Sequence, residues 1–127
     1  MNSHEKNVLN EKLETCSLQP LTGFNRNGDC RISAADRGRH GVCAQVTRAF
    51  LEFTRRRGND LYTPDRLGGF PGLKPGDRWC LCEDRWQEAF DHGVAPPVIM
   101  AATHARVLDR IPLARIETHA LATPTDG

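Results

Sequence analysis

The sequence lacks any long apolar run, and none of its segments approaches the roughly 18 consecutive apolar residues that a membrane-spanning helix needs. Its first residues, Met1–Asn7, contain no apolar segment of the kind found in secretory signal peptides. Charge of neither sign dominates, because the formal net charge is +1, and aromatic residues make up only 6% of the chain. We therefore expect a cytoplasmic protein with no membrane partner and, without a broad basic surface, no nucleic-acid partner.

Motifs of the common enzyme and cofactor-binding classes are also missing. The chain has no phosphate-binding glycine loop, no Gly-x-Ser-x-Gly motif and no His-Glu-x-x-His motif. What remains is one domain's worth of sequence, 127 residues, with 39% hydrophobic and 26% charged residues, as is ordinary for a globular domain. Residues 7–121 are predicted to form this domain, between a disordered tail at 1–6 and a frayed tail at 122–127.

The most informative feature of the composition is its five cysteines, Cys16, Cys30, Cys43, Cys80 and Cys82. An odd number excludes complete pairing within the chain, and without an export signal a disulfide framework is the less favoured interpretation. The other interpretations are buried apolar thiols, metal ligands, or one reactive thiol. Burial is the commonest state of a single free cysteine.

Cys80 and Cys82 lie in an apolar run, Arg78–Cys82, that follows a turn sequence and is predicted to be a strand. Side chains two residues apart on a strand share a face, so both sulfurs would point the same way. Their Cα atoms would be about 6.6 Å apart, near the outer limit for a disulfide. The pair is therefore better suited to offer thiolates to a third group than to bridge itself.

The best candidate for that third group lies in another predicted strand, His40–Val46. If the two strands pair, five residues are candidate ligands of a metal site: Cys43, Cys80 and Cys82, with His40 or Cys16 as the fourth ligand. Soft thiolates suit zinc or copper(I). The Cys-x2-Cys spacing typical of structural zinc is absent, so burial without metal stays the favoured interpretation of the converging sulfurs.

Local signals predict where helices and turns lie. A helix is predicted from its N-cap Thr47 to Arg57, a second from Glu83 to His92, and two more near Thr103 and after Pro112. Asn10 is a candidate for a tight turn, because asparagine tolerates a positive φ. A further candidate for a single helical turn is Ser33–Asp36.

Three strand candidates, of which Val94–Met100 is an extended segment broken by two prolines, alternate irregularly with these helices. The pattern predicts an α+β domain. We expect a two-layer sandwich, in which three to four helices cover one face of a small, mainly antiparallel sheet. The connection Asn59–Asp77 contains four glycines and three prolines, and loops of this length are usually functional or mobile. We therefore place any ligand site beside it.

Several segments together resemble a known family. The longest is Phe70–Cys82, and Pro20–Phe24, Phe50–Phe53 and Arg57–Leu61 are among the others. Over nearly its whole length after the tail, the chain resembles domain-of-unknown-function family 2237, small single-domain proteins mostly from bacteria. The resemblance implies a two-layer α+β sandwich and no particular activity.

The resemblance extends to single residues. It implies that all five cysteines, His40 and His104 stand at family positions. Asp29 stands where the family often has a further cysteine, and Tyr62 where a serine is common.

Three functions remain open. We favour a non-catalytic binding or interaction module, with a homodimer as one form of it. The alternative is a protein that binds zinc or copper through Cys43, Cys80 and Cys82. The third is a thiol-dependent enzyme, for which Cys82 is a candidate because it directly precedes the second predicted helix and its positive end. The sequence identifies neither a substrate nor a partner.

Overall fold

A computed structural model describes residues 5–121, and within this range the chain has an α+β fold. The regular elements in chain order are strand β1 (Val42–Gln45), helix α1 (Arg48–Arg56), strand β2 (Arg78–Leu81), helix α2 (Glu83–Asp91), two 3-10 helices (Met100–Ala102 and Ala105–Asp109) and helix α3 (Leu113–Thr118). The α+β class agrees with the prediction, whereas the two-layer sandwich stays a prediction. No helix in this part of the chain is long and apolar enough to cross a membrane.

The sheet consists of β1 and β2, which pair antiparallel. Both are short and mostly buried, and Val42 and Trp79 are of the β-branched and aromatic types that favour strands. The register pairs Val42 with Leu81 and places Cys43 directly opposite Cys80. This register brings two cysteines that are far apart in sequence to the same point of the fold.

The predicted extended segment 94–100 pairs with β1 at a single bridge position. Val98 forms an antiparallel bridge with Ala44 and a parallel bridge with Ala120. The two residues before Val98 are prolines, which have no N–H to donate to a ladder. The segment therefore adds single bridges rather than a third strand.

The first two helices begin and end close to where the sequence predicts. The hydroxyl of Thr47 accepts a hydrogen bond from the backbone N–H of Phe50 and so caps α1. Gly58 follows α1 with a φ of 92°, and Gly93 follows α2 with a φ of 76°. Glycine suits both positions, because left-handed backbone costs other residues about 1–2 kcal/mol.

The helix predicted to begin at Thr103 is replaced by two 3-10 helices on either side of this residue. The Thr103 hydroxyl lies 3.1 Å from the backbone nitrogen of Cys43 and accepts its hydrogen bond. His104 caps the second 3-10 helix instead, since its Nδ1 accepts from the backbone N–H of Arg106. Because the Thr103 hydroxyl bonds to β1, it does not cap a helix, and the second 3-10 helix begins at Ala105 instead.

The hydrophobic core includes five large, fully buried side chains, Phe50, Leu51, Trp86, Ile111 and Ile116. The predicted tail at 1–6 is described only at its last two residues. Glu5 contacts the domain through its Oε1, which lies 2.7 Å from Nε2 of His104, and Lys6 forms a bridge with Lys12. Residues 1–4 and the predicted tail at 122–127 lie outside the described residues.

Candidate functional site

Four of the five cysteines form two buried disulfides, Cys16–Cys43 and Cys30–Cys80. Their Cα atoms are 5.8 Å and 5.4 Å apart, respectively, within the usual range for a disulfide. This corrects the expectation that disulfides are the less favoured state. An odd number of cysteines prevents only the pairing of all five. The strand register places Cys43 opposite Cys80, and each of these two bonds to a cysteine from an earlier part of the chain.

The predicted metal ligands do not come together as one set. Within residues 5–121, the sulfur atoms of Cys16, Cys30 and Cys80 lie within 4.8 Å of one another, and Cys30 was not among the predicted ligands. Cys82 does not belong to this group. Because β2 ends at Leu81, the strand alternation that would place Cys82 on the face of Cys80 does not extend to it.

Cys82 instead occupies the position before α2, where it is half-buried and has a free thiol. This is the position that the sequence predicts, next to the positive end of a helix. Its side chain makes no capping hydrogen bond to the helix. Within residues 5–121, no histidine forms a hydrogen bond with the Cys82 thiol.

The disulfides are held in place by threonines. The Thr22 hydroxyl accepts a hydrogen bond from the backbone N–H of Cys80 at 2.9 Å, just as Thr103 accepts from that of Cys43. Both threonines are fully buried, and Ala102 belongs to the same buried cluster as the four cysteines. The disulfides therefore form a nearly closed cluster, and Cys80 is the member that also reaches a surface cleft.

This cleft has a volume of about 600 Å³ and lies beside the loop 59–77, where the sequence analysis places a ligand site. Its lining combines three kinds of side chain. They are the aromatic residues Phe24, Phe70 and Trp79, the carboxylates Asp60 and Asp65, and the basic residues Arg26 and His40. A cleft that offers an apolar surface beside a few charged groups is the usual form of a small-molecule site.

Hydrogen bonds within the loop fix the carboxylate wall of the cleft. Asp60 accepts bonds from the backbone N–H groups of Tyr62 and Thr63, at 2.9 Å and 3.1 Å, and from the Thr63 hydroxyl at 2.6 Å. The bonds from Thr63 are the main reason that the pKa of Asp60 lies below its usual value. Asp65 accepts from the backbone N–H of Gly68 at 3.1 Å. Both carboxylates thus hold defined positions along the loop.

The aromatic wall of the cleft is built around Trp79 of β2. The Phe70 ring packs edge-on against the indole at 5.2 Å between centroids. The Arg26 guanidinium lies 5.1 Å from the indole centroid and donates from Nη1 to the Gly23 carbonyl at 2.7 Å. No carboxylate within residues 5–121 forms an ion pair with Arg26, so its charge is available to the cleft.

His40 is joined to a buried carboxylate. Its Nδ1 lies 2.6 Å from Oδ1 of Asp36, and its backbone N–H donates to Oδ2 of the same residue at 2.9 Å. The Asp36 side chain is fully buried, whereas 37% of the His40 side chain is exposed. This pair differs from the metal-ligand role predicted for His40.

The sequence predicts no site role for Asp36, Arg26 or Trp79. The predicted single helical turn at Ser33–Asp36 is a non-helical turn in the structure. The available signal was the spacing of Asp36 and His40, four residues apart around Gly38. No local signal marks Arg26 or Trp79, because the loop that faces them comes from a distant part of the chain.

The fold and the site define a small α+β domain with a buried pair of disulfides beside a cleft of ligand size. The chain belongs to the family DUF2237, described as an uncharacterized protein conserved in bacteria, whose family model matches residues 6–120. This match confirms the resemblance found in the sequence. No curated protein matches the chain.

Proposed function

We propose that the protein is a binding module for a small organic molecule, and that the cleft beside loop 59–77 is its binding site. The observation that carries the proposal is the composition of this cleft, in which an aromatic wall and charged side chains line about 600 Å³. Small-molecule sites typically enclose about 300–1,000 Å³, and the cleft lies within that range.

The charges of the cleft indicate which chemical group of a ligand would bind there. Asp60 and Asp65 present two carboxylates along the loop, and Arg26 supplies one cation beside Trp79. Carboxylates accept hydrogen bonds and attract cations. We therefore expect a flat ring that packs against the aromatic wall and carries a substituent that donates hydrogen bonds.

The two tryptophans provide a test with an internal control. Trp79 lines the cleft, whereas Trp86 is fully buried in the core and donates its Nε1–H to the Pro96 carbonyl. In a nitrogen–proton correlation spectrum, benzamidine should shift the indole N–H signal of Trp79 and leave that of Trp86 unchanged. Benzoate, which has the same ring and the opposite charge, should bind more weakly, because two carboxylates and one guanidinium line the cleft.

A pair of variants tests the contribution of the carboxylate. Asp65→Asn should weaken benzamidine binding by about tenfold, as expected for the loss of one charged partner. Asp84→Asn removes an exposed carboxylate that lies outside the cleft and should leave binding unchanged. Equal shifts of both indole signals, or equal binding of benzamidine and benzoate, would contradict the proposal.

A second candidate function is the binding of zinc or copper by the cysteines after reduction. It is supported by the sulfur atoms of Cys16, Cys30 and Cys80, which lie within 4.8 Å of one another. In a tetrahedral site with Zn–S bonds of about 2.3 Å, the four thiolate sulfurs are about 3.8 Å from one another. The sulfurs of the reduced cluster would therefore have to move only a short distance to bind zinc. A cytoplasmic location, as the sequence predicts, would favour this candidate because the cytosol keeps thiols reduced.

The metal candidate is tested by reduction with a phosphine, followed by addition of zinc and removal of the excess. About one equivalent of retained zinc is expected, and Cys30→Ser should abolish retention. Cys82→Ser is the matched control and should retain zinc as well as the unaltered protein does. No retained zinc in the reduced protein would exclude this candidate without affecting the proposal for the cleft.

A further inference from the structure

We infer that the cleft also performs chemistry: His40 acts as a general base in the hydrolysis of a small ester, and Asp36 is the residue that positions it. The inference rests on the proposed function, because the ester would occupy the same cleft. It is carried by the geometry of the segment that presents His40.

The first constraint is the buried carboxylate of Asp36. Both of its oxygens are engaged by His40, one by the ring nitrogen Nδ1 and the other by the backbone N–H. A carboxylate has only acceptors, so Nδ1 of the ring must be the donor. In the neutral imidazole the proton then resides on Nδ1, and Nε2 keeps a free lone pair.

The second constraint comes from the backbone around the ring. A Cβ atom at Gly38 would lie 2.7 Å from Cε1 of His40, so glycine leaves the space that the ring fills. Arg39 has a φ of 52°, in the left-handed region that non-glycine residues seldom adopt. Such backbone persists where the surrounding structure imposes it, and it concentrates at functional sites.

The third constraint is the position of the ring at the cleft. The Phe24 ring stacks on the imidazole at 6.1 Å between centroids, with 25° between the planes. Both rings line the cleft, together with the charged groups of Arg26, Asp60 and Asp65. Its Nδ1 is held by a buried carboxylate, and its side chain is partly exposed where it lines the cleft, so His40 is placed to act as a general base through Nε2.

The step that this arrangement supports begins with a water molecule beside Nε2. Nε2 takes a proton from the water as the water oxygen bonds to the ester carbonyl carbon, and the carbonyl electron pair moves to its oxygen. The guanidinium of Arg26 stabilises the negative charge there. The electron pair on this oxygen then re-forms the carbonyl bond. The bond to the leaving oxygen breaks, and the leaving oxygen takes the proton from Nε2. The products are a carboxylic acid and an alcohol, and His40 is neutral again.

The test is the hydrolysis of p-nitrophenyl acetate. His40→Gln should lower the rate at least about tenfold, since general-base catalysis typically contributes 10²–10⁴-fold. His92→Gln is the matched control, because His92 lies at the end of α2, outside the cleft, with its Nε2 beside the Arg57 guanidinium. It should leave the rate unchanged. Benzamidine should inhibit the unaltered protein.

Asp36→Asn distinguishes a positioning role from a merely structural one. In an asparagine at this position an amide NH2 replaces one of the two oxygens, so only one of the two acceptors that His40 uses remains. We expect the amide to donate to Nδ1, so that the proton moves to Nε2 and the rate falls as in His40→Gln. Nitrogen NMR of the imidazole reports this change of tautomer independently of activity.

The failure of this inference can be distinguished from the failure of the proposed function. If benzamidine shifts the Trp79 signal but the hydrolysis rate of His40→Gln equals that of the unaltered protein, the cleft binds and does not catalyse. If Asp36→Asn keeps the fold, the tautomer and the rate, Asp36 does not position His40. Either result overturns the inference and leaves the binding proposal intact.

Discussion

Both carboxylate oxygens of Glu83 lie 3.0 Å from Nε of Arg39, and the Glu83 side chain is fully buried. The contact is reciprocal, because the backbone N–H of Glu83 donates to the Arg39 carbonyl at 3.2 Å. These bonds tie the first residue of α2 to the turn that precedes β1. They therefore hold the backbone on which His40 is presented to the cleft.

Replacing Arg39 by glutamine should strongly destabilise the protein. The variant removes the only guanidinium that hydrogen-bonds the buried Glu83 carboxylate among residues 5–121, and breaking a buried ion pair typically costs about 3–5 kcal/mol. Urea unfolding measures the loss. Arg110→Gln is the control, since Arg110 is half-exposed and its Nε lies 4.0 Å from Oε1 of Glu83. Its expected loss is below about 1 kcal/mol, and equal losses in the two variants would contradict the assignment.

The same pair predicts a dependence of stability on pH. Burial raises the pKa of Glu83 above its usual value, and the Arg39 guanidinium opposes that shift. A group whose pKa is raised by folding contributes its stability below its unfolded pKa, about 4.3, and loses that contribution as pH rises through the folded value. In Arg39→Gln the larger of the two opposing cations is gone and Arg110 remains, so the unfolding free energy of the variant should fall more steeply with pH. Urea unfolding at about pH 4.5 and pH 7 compares the two, and parallel profiles would contradict the prediction.

The shape of the loop wall depends on Gly72, which has a φ of 80° and lies against the carbonyl of Tyr62. Gly72→Ala adds a Cβ that overlaps this oxygen, whereas Gly69→Ala, at a φ of 74°, meets no atom within 4 Å. Both variants place an alanine in left-handed backbone. The difference between their unfolding free energies therefore reports the overlap of the new Cβ at position 72 with the Tyr62 carbonyl oxygen. We expect Gly72→Ala to lose about 1–3 kcal/mol more in urea unfolding and to weaken benzamidine binding. Equal losses would show that the loop adapts.

Features that depend on neighbouring residues could be predicted from the sequence. Thr47 caps α1 and Gly58 follows it, as predicted, because a cap and a C-terminal glycine act within one turn. Asn10 has a φ of 63°, which agrees with the predicted tight turn. In each case the physical cause lies within a few residues of its effect.

Features that depend on contacts between distant segments could not be predicted. The Cys16–Cys43 and Cys30–Cys80 disulfides join residues 27 and 50 positions apart, and the partners follow from the strand register and the loop paths. The cleft unites Arg26 with Asp60 and Asp65, which share no local pattern. The length of loop 59–77 indicated a functional segment. No sequence pattern identified the residues on the opposite side of the cleft, such as Arg26.

The disulfide pairing predicts a simple thiol count. Unfolded in urea without reductant, the protein should expose one reactive thiol, that of Cys82, and after reduction it should expose five. Cys30→Ala together with Cys80→Ala removes one disulfide and should lower the unfolding free energy by about 2–5 kcal/mol. Cys82→Ala, which breaks no disulfide, should cost less. Five thiols before reduction would show that the cysteines are free.

Asn7 is fully buried, and both polar atoms of its side chain are hydrogen-bonded. Its Nδ2 donates to the carbonyls of Lys12 and Ala101, and its Oδ1 accepts from the backbone N–H groups of Leu9 and Glu11. The amide thus joins the first turn of the domain to the segment before Thr103. No other group of this size supplies two donors and an acceptor in this arrangement.

Asn7→Asp should therefore destabilise the protein although it changes only one atom. The new oxygen would face two carbonyl oxygens, and a buried charge without a partner typically costs about 3 kcal/mol or more. Asn10→Asp makes the same chemical change at an exposed turn, where aspartate also tolerates a positive φ, and should alter stability by less than about 0.5 kcal/mol. Thermal and urea unfolding of the two variants give the comparison. If Asn7→Asp is as stable as Asn10→Asp, the Asn7 amide does not hold the first turn against the 101–103 segment.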